Sequence, residues 1–260
     1  MQFDFLKYQG TGNDFIIADN RKQLYNELST ETVRHLCDRK FGIGADGLIL
    51  LNNSITHDFE MQYFNADGNI GSMCGNGGRC IVQFAHDNGI VKDSYVFEAA
   101  DGLHEANITQ QKIVQLKMNP VNAVQYFNDY SVLNTGSPHY VSYGVGVKNK
   151  DVFAEGKAIR YNETFSKEGI NVNFVEVMGA NNIFVRTYER GVENETASCG
   201  TGVTAAALMY PQNSIGANNI QINTIGGNLN VTFNKINDQQ FDNIYLCGPA
   251  SFVFKGSIQI

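Results

Sequence analysis

Two cysteines of this sequence stand just before glycine-rich segments of helical length, about half a chain apart. The first lies in Met73–Cys80 and the second in Ala197–Gly202, and each is followed by Gly-x-Gly and an apolar run. The first N–H groups of a helix have no partner within the helix and lie at the positive end of its dipole. That position lowers a thiol pKa from about 8.5 toward neutrality, and the same N–H groups bind anionic oxygen. Each motif therefore predicts a thiolate beside a carboxylate-binding loop.

The repetition of the motif favours chemistry that uses two thiols together. Two similar halves that meet at a cleft would place Cys74 and Cys199 on opposite faces of one bound molecule. Inversion at a carbon acid needs such a pair, because one thiolate takes a proton and the other thiol returns one from the far face. Two sets of N–H donors would stabilise the enediolate-like charge beside the carboxylate. This chemistry requires no cofactor and no metal, and the sequence contains no motif for pyridoxal or a metal.

The composition is that of a globular protein, with 43% of 260 residues hydrophobic and 17% charged. This length allows one large domain or two of ordinary size. The net charge of -7, without a Lys/Arg cluster, argues against nucleic acid or an anionic membrane as a partner. Neither a signal peptide nor an apolar run of about 18 residues is present. We therefore expect a cytoplasmic protein, and the odd count of 5 cysteines favours reduced thiols.

Alternating apolar and polar residues predict strands before the first cysteine motif. A strand at Phe15–Ala18 precedes a helix capped by Ser29 or Thr30, and a second strand lies at Leu48–Leu51. A turn at Asn65–Asn69 then leads into the motif. A dinucleotide motif of the form G-x-G-x-x-G also ends just before Leu48, but it requires a following helix. Because a strand follows instead, we reject a dinucleotide site there.

The two cysteine motifs are predicted to open helices that lie inside β-sheets. The first helix runs from Asn76 to Asn88, and the second, Val203–Tyr210, is apolar almost all round and stops at Pro211. A helix without a polar face must be buried on most sides, and β-sheet is the abundant partner here. Within the second half, a polar span rich in Lys and Glu lies between the predicted strands Tyr140–Val147 and Val172–Val177, and no helix is predicted there.

The predicted fold class is α+β. We expect two pseudo-symmetric domains, each a mainly antiparallel β-sheet or barrel wrapped around a central helix, with the active site in the inter-domain cleft. The first domain covers residues 1–120 and the second 121–249. The last strand, about 250–260, either closes the second domain or returns to the first.

Seven motifs, taken together, resemble the diaminopimelate epimerase family, and they follow the family order across nearly the whole chain. They are Gly10-Thr11-Gly12-Asn13-Asp14-Phe15, Phe41-Gly42-Ile43-Gly44-Ala45-Asp46, Tyr63-Phe64-Asn65-Ala66-Asp67-Gly68, Cys74-Gly75-Asn76-Gly77-Gly78-Arg79-Cys80, Pro138-His139, Tyr188-Glu189-Arg190-Gly191 and Cys199-Gly200-Thr201-Gly202. The resemblance implies cofactor-independent interconversion of LL- and meso-diaminopimelate, on the route to lysine and peptidoglycan. It also implies a homodimer.

The resemblance implies roles for individual residues. The acid/base thiols are Cys74 and Cys199. The reacting carboxylate is held at the two helix starts by Gly75, Asn76, Gly200 and Thr201. The amino group and the distal carboxylate are gripped by Asn13, Asn65, Asn171, Glu189 and Arg190. The residues that tune or relay the charge of the thiols are His139 and Glu189. Without the resemblance, an isolated His is more often a structural hydrogen-bonding residue, and Tyr-Glu-Arg-Gly is more often a solvated turn.

The sequence departs from the family pattern at three places. Ser137 stands where the family commonly has Asn, and Gly47 stands where some members carry a substrate-binding Gln. The loop from Arg190 to Cys199 is one residue longer than usual. The remaining residues of chemical interest are interpreted as structural: Cys37, Cys80, Cys247, His35, His57, His86 and His104.

Three other functions are compatible with parts of this pattern. A proline or hydroxyproline racemase would use two cysteines, but it would not need Asn13 or Arg190 to grip a second amino-acid end. A non-catalytic amino-acid-binding protein would need neither thiol. A zinc or redox protein is disfavoured because the sequence has no C-x-x-C pair and no clustered His.

Overall fold

The computed structural model describes residues 1–71 and 73–260. The strands in this part of the chain are β1 (Gln2–Gly10), β2 (Asn13–Asp19), β3 (Gly47–Asn52), β4 (Phe59–Asn65), β5 (Ser94–Ala99), β6 (Gly102–Ile108), β7 (Ile113–Lys117), β8 (Val124–Tyr126), β9 (Ser131–Asn134), β10 (Pro138–Tyr143), β11 (Asn171–Gly179), β12 (Asn182–Glu189), β13 (Asn194–Thr196), β14 (Gly216–Thr224), β15 (Gly227–Lys235), β16 (Phe241–Pro249) and β17 (Ser251–Gln259). The helices are α1 (Thr30–Cys37), α2 (Gly75–Asp87), α3 (Val152–Arg160) and α4 (Gly200–Leu208), with a 3-10 turn at Val147–Asn149. The predicted α+β class is confirmed.

The chain divides into two compact units. The first unit comprises Met1–Leu116 together with Gly248–Ile260, and the second comprises Lys117–Cys247. Among the residues that the structure describes, no helix is both long and apolar enough to cross a membrane.

The described strands of the first unit form one sheet in the order β17-β1-β2-β3-β4-β5-β6-β7. The pairings are antiparallel except for β2 with β3 and β4 with β5, which are parallel. Helix α2 packs against β1, β2, β3, β6 and β17. Because a single helix contacts strands from distant positions in this order, the sheet curves around α2.

The second unit has a sheet in the order β8-β9-β10-β11-β12-β14-β15-β16, with the short β13 paired to β12. Its parallel pairings are β10 with β11 and β12 with β14. Helix α4 packs against β10, β11, β12, β14 and β15, so this sheet also curves around a helix.

The two units repeat one topology. When the strands of each sheet are taken in the orders given above, the third and the fifth pairings are parallel in both units. The other pairings are antiparallel in both units. Helices α1 and α3 occupy equivalent crossovers, and so do α2 and α4. In this comparison β17 has the place in the first unit that β8 has in the second. The last strand therefore completes the sheet in which the chain began.

Helix α1 follows the sequence prediction, whereas α3 does not. Ser29 is the N-cap of α1, and its Oγ accepts a hydrogen bond from Thr32 N at 3.1 Å. Helix α3 lies within the region that we interpreted as a polar span, so that interpretation is wrong for Val152–Arg160. The helix forms because Asp151 caps it through Ala154 N at 3.0 Å. Its apolar residues Val152 and Ile159 pack on the outer face of β11 and β12, with Val172, Phe174 and Tyr188.

Candidate active site

Cys74 lies at the N-terminus of α2, as its motif predicts. Its backbone is extended (φ -101°, ψ 145°), and its Sγ accepts a hydrogen bond from Gly77 N at 3.2 Å. A Cβ atom on Gly78 would lie 2.8 Å from Met73 Sδ, so a larger residue there would require the Met73 side chain to move. The thiol of Cys74 therefore sits where the unpaired N–H groups of the helix converge.

The side chains of Asn13 and Asn76 are hydrogen-bonded to each other at the start of α2. Asn76 Nδ2 donates to Asn13 Oδ1, and Asn13 Nδ2 donates to Asp46 Oδ2 at 3.0 Å. Since Asp46 can only accept when ionised, this contact fixes which end of the Asn13 amide faces which partner. The structure thus brings together two of the residues assigned to substrate binding, in a defined orientation.

Arg79 anchors this pair from within the core of the first unit. It is 0% exposed, and its guanidinium donates to Thr11 Oγ1 at 2.8 Å, Asn76 Oδ1 at 3.0 Å and Gly75 O at 3.3 Å. Because Asn76 Oδ1 faces Arg79, Asn76 Nδ2 must face Asn13. Arg79 belongs to the motif, but the sequence assigned it no role.

A cluster of charges holds the start of β2, which carries Asn13. Arg39 Nη2 lies 2.6 Å from Asp14 Oδ1 and 2.7 Å from Asp46 Oδ1, and Lys7 Nζ lies 2.8 Å from Asp14 Oδ2. Burial raises the pKa of Asp14, but the hydrogen bonds from Arg39 and Lys7 outweigh it and lower that pKa to about 2. Asp14 is therefore ionised at neutral pH.

The other predicted features of the first unit lie at the end of β4. Asn65 is exposed and closes the predicted turn, since its N–H donates to Asn69 O at 2.9 Å and its carbonyl accepts from Gly68 N at 2.9 Å. Gly47 pairs with Asn65, and a Cβ there would lie 2.5 Å from Tyr63 Cε2. A Gln side chain at position 47 would therefore have no room.

Cys199 lies at the N-terminus of α4, in the position equivalent to Cys74. Its backbone is extended (φ -111°, ψ 114°), and its Sγ lies 3.5 Å from Thr201 Oγ1. Thr135 Oγ1 donates to Thr201 O at 2.8 Å and so ties the segment before β10 to the first turn of α4. A Cβ atom on Gly202 would lie 2.4 Å from Oδ1 of the buried Asn173, so position 202 in the first turn of α4 has no room for a larger residue.

His139 is a buried, neutral imidazole on β10. It is 0% exposed, and burial together with the positive charge of Arg190 lowers its pKa from the ordinary 6.5 to about 3. Its Nδ1 lies 3.1 Å from Asn173 Nδ2. Among the described residues, its Nε2 has no hydrogen-bond partner.

The burial of His139 predicts a loss of stability in acid. Below pH 6.5 the unfolded chain binds a proton at His139 that the folded chain excludes, so this contribution is complete above pH 6.5 and falls toward pH 3. At about pH 5 the loss should be about 2 kcal/mol. We expect His139→Gln to lose correspondingly less stability than the wild type between about pH 7.5 and pH 5 in urea unfolding. His35→Gln, at an exposed site on α1, is the control, and equal losses in His139→Gln and the wild type would contradict the expectation.

Asn171 and Arg190, two predicted substrate-binding residues of the second unit, are held together by hydrogen bonds. Arg190 N donates to Asn171 Oδ1 at 2.9 Å, and Arg190 Nη1 donates to Glu168 O at 3.0 Å. Ser137 Oγ accepts from Asn171 Nδ2 at 2.9 Å and lies 3.5 Å from Arg190 Nη2. The hydroxyl at position 137 therefore supports two predicted substrate-binding residues.

Glu193 organises the loop between Arg190 and Cys199. Its Oε2 accepts from Tyr161 OH at 3.0 Å and from Tyr188 OH at 3.2 Å, and its Oε1 accepts from Gly191 N at 3.1 Å. The neighbouring Glu189 accepts at Oε2 from Thr196 Oγ1 at 2.9 Å. These bonds close the loop on α3 and on β12, and they hold the backbone that carries Arg190.

The remaining cysteines lie inside the protein. Burial raises the pKa of Cys80 to about 12 and that of Cys37 to about 11, so both stay protonated at neutral pH. Cys247 is also buried. In residues 1–71 and 73–260, no three His, Cys, Asp or Glu side chains are grouped to hold a metal ion.

Solved structures with the same fold come from several groups of proteins. A phenazine biosynthesis protein of the PhzF family from Bacillus anthracis has a TM-score of 0.74 at 13% identity and covers 100% of both chains. A probable proline racemase from Agrobacterium radiobacter K84 has a TM-score of 0.68 at 16% identity and covers 99% of this chain and 92% of its own. The architecture is thus the duplicated fold of the PhzF proteins and proline racemases.

Sequence comparison is more specific than the fold. The family model for diaminopimelate epimerase matches residues 5–124 and 131–253. The diaminopimelate epimerase of Flavobacterium psychrophilum is 51% identical over 253 residues, which are 97% of this chain and 98% of that protein. That of Chlorobaculum tepidum is 45% identical over 261 residues, covering 96% and 99%. The chain belongs to the diaminopimelate epimerase family.

Proposed function

We propose that this protein interconverts LL- and meso-diaminopimelate by moving the α-proton between two cysteines, without a cofactor. The observation that carries the proposal is the equivalence of Cys74 and Cys199, each at the N-terminus of the buried helix of a repeated unit. A protein that only bound an amino acid would need neither thiol. Family membership supports the choice of substrate.

The reaction follows from groups at the two helix starts. Backbone N–H groups of Gly75, Asn76, Gly200 and Thr201 bind the α-carboxylate. One thiolate removes the α-proton, and the carbanion delocalises into the carboxylate as an enediolate, whose charge these N–H groups stabilise. The other thiol then donates a proton to the opposite face of the α-carbon, which inverts the centre. The thiol and thiolate have exchanged roles, so the reverse reaction follows the same path.

Contacts between the protein and the distal end of the substrate select diaminopimelate over smaller amino acids. The exposed guanidinium of Arg190 binds the distal carboxylate, which suits its two parallel donors, and Asn13, Asn65, Asn171 and Glu189 bind the rest of that end. Asn171 and Ser137 hold Arg190 in place. A proline-sized substrate has no second carboxylate for this group. His139 and Glu189 adjust the charge of the thiols.

An exchange assay in deuterated water tests the proposal. The protein is incubated in parallel with diaminopimelate and with proline, and α-deuterium and stereochemistry are followed together. We expect deuterium at the α-carbon of diaminopimelate, inversion of that centre and no exchange into proline. Exchange into proline alone would indicate a proline racemase, and exchange into neither would indicate a binding protein.

We infer that the enzyme works in the cytoplasm, in the synthesis of lysine and peptidoglycan precursors. Thiols that exchange protons must stay reduced, and the cytoplasm is a reducing compartment. The cysteines of the described chain are thiols.

We also propose that two copies of the chain form a homodimer through β17. Phe252, Val253 and Phe254 are 50%, 51% and 44% exposed. Since successive side chains of a strand point to opposite faces, both faces of β17 carry exposed apolar surface, and a second copy of the chain covers it.

The dimer is tested by light scattering coupled to gel filtration. We expect the wild type to elute as a dimer and Val253→Glu as a monomer. Leu103→Glu, at an apolar site 59% exposed on β6, should remain a dimer. A wild type that is monomeric at all concentrations would refute the proposal.

A further inference from the structure

Tyr63 lies on the face of β4 that is turned toward α2. Successive side chains of a strand point to opposite faces, so Tyr63 shares its face with Met61 and Asn65. A Cβ atom on Gly77, in the first turn of α2, would lie 3.5 Å from Met61 Cε and 3.2 Å from Cys74 Sγ. The face that carries Tyr63 therefore lies beside the helix start that holds the thiol.

Two glycines fix the direction of the Tyr63 ring. A Cβ atom on Gly47, in the neighbouring strand β3, would lie 2.5 Å from Tyr63 Cε2 and 2.9 Å from Tyr63 Oη. A Cβ atom on Gly71 would lie 2.9 Å from both Cδ1 and Cε1 of the same ring, and Gly71 N donates to the carbonyl oxygen of Tyr63 at 3.0 Å. The opposite edges of the ring are therefore both in contact with backbone, and these contacts hold the ring in one direction.

That direction brings the hydroxyl of Tyr63 toward the predicted substrate-binding residue Asn65. In the pairing of β3 with β4, Tyr63 is opposite Ile49, whereas Asn65 is opposite Gly47. Since the hydroxyl of Tyr63 reaches Gly47, the ring extends from its own cross-strand pair toward that of Asn65. The Asn65 amide is close to the same ring, because its Nδ2 also lies 2.9 Å from the Cβ position of Gly71. Tyr63 is only 8% exposed, so its hydroxyl is a largely buried polar group beside the predicted site.

The polar groups around this hydroxyl suit a cation better than an anion. The positive side chains near the starts of β2 and α2 are held by other groups of the first unit. Lys7 and Arg39 both pair with Asp14, and Arg79 donates to Asn76 Oδ1 at 3.0 Å. A hydroxyl oxygen has two acceptor positions besides its own hydrogen. It can therefore accept a hydrogen bond from an ammonium group whichever acceptor its own hydrogen faces.

We propose that Tyr63 is a specificity-determining residue, whose hydroxyl accepts a hydrogen bond from the distal ammonium group of diaminopimelate. The inference rests on the proposed function for the identity of the substrate. That function assigns the distal carboxylate to Arg190, and Tyr63 joins the residues that bind the rest of the distal end. Because the ring is already held in one direction, forming this bond costs little side-chain entropy. A ligand without the second amino group leaves the hydroxyl without this partner and binds more weakly.

Removing the hydroxyl and removing the distal amino group, separately and together, tests the contact. Tyr63→Phe removes the hydroxyl and keeps the ring between its two glycines. 2-Aminopimelate keeps both carboxylates and one amino group of diaminopimelate but lacks the distal amino group. We expect Tyr63→Phe to raise KM for diaminopimelate about 10-fold and to leave kcat within a few-fold, because the contact is the same in the ground state and the transition state. The inhibition constant of 2-aminopimelate, measured against diaminopimelate, should not change.

Tyr8→Phe is the matched control for Tyr63→Phe. Tyr8 is also buried in the first unit, but its hydroxyl donates to Asp87 Oδ2 at 2.9 Å, at the last residue of α2. This variant should change neither constant. Equal losses for both compounds in Tyr63→Phe, or an unchanged KM for diaminopimelate, would overturn the proposal. The proposed function is decided separately, by inversion of diaminopimelate in the wild type before any variant is compared.

Discussion

Replacing either Cys74 or Cys199 by Ala should lower epimerisation of diaminopimelate by at least about 10³-fold. In the mechanism that we propose, each thiol serves one face of the α-carbon, so neither can complete an inversion without the other. The effect should appear in kcat, because the N–H groups of both helix starts remain to bind the carboxylate. The measurement is the deuterium-exchange assay, run on purified variants and followed for both exchange and inversion.

Two other cysteines provide matched controls for these variants. Cys37→Ala and Cys247→Ala remove a buried thiol from the first and the second unit, respectively. Both should keep the activity of the wild type within a few-fold. If either the Cys74 or the Cys199 variant inverted diaminopimelate at the wild-type rate, the two-base mechanism would be wrong. Loss of activity in a control would show that thiol deletion harms the fold in general.

Arg79→Lys should have the next largest effect, on both stability and activity. Arg79 is 0% exposed and donates to three different oxygens, on Thr11, Gly75 and Asn76. A lysine ammonium has no planar fork and cannot reach all of these acceptors from one position. Since a hydrogen bond to a charged group contributes about 1.5–3 kcal/mol, we expect a loss of about 3 kcal/mol in unfolding free energy. The Asn76 amide also loses its fixed orientation, so kcat/KM should fall about 10²-fold.

Arg21→Lys is the matched control for Arg79→Lys. Arg21 makes a bidentate pair with Asp19 at 2.8 and 2.6 Å, but at the surface of the same unit. Exposed ion pairs contribute about 0–1 kcal/mol, so both stability and activity should change little. Chemical unfolding and the exchange assay, applied to both variants, make the comparison. A small effect at Arg79 as well would mean that Asn76 keeps its orientation without the guanidinium.

The local sequence sufficed to predict the elements that carry the thiols. A glycine run after a cysteine and a long apolar segment after the glycines specify a buried helix start, and α2 and α4 begin at Gly75 and Gly200. The cap at Ser29 and the turn at Asn65 were predicted for the same reason, since capping and turn chemistry depend on a few adjacent residues. Helix α3 was missed because Glu155, Gly156 and Lys157 interrupt its apolar residues. Packing on β11 and β12 specifies it instead.

The sequence by itself therefore determined that two thiols stand at two similar helix starts, and hence the kind of chemistry that this protein performs. Only the tertiary structure decided how the surrounding amides and imidazole are oriented. Asn173, Asp46 and Arg79 were not assigned roles, because their partners come from strands and loops far away in the chain. The Asn-x-Asn alternation at positions 171 and 173 was a visible hint of buried polar groups on one strand face. A hydrogen-bond donor differs from an acceptor only through its neighbours, and the fold chooses those neighbours.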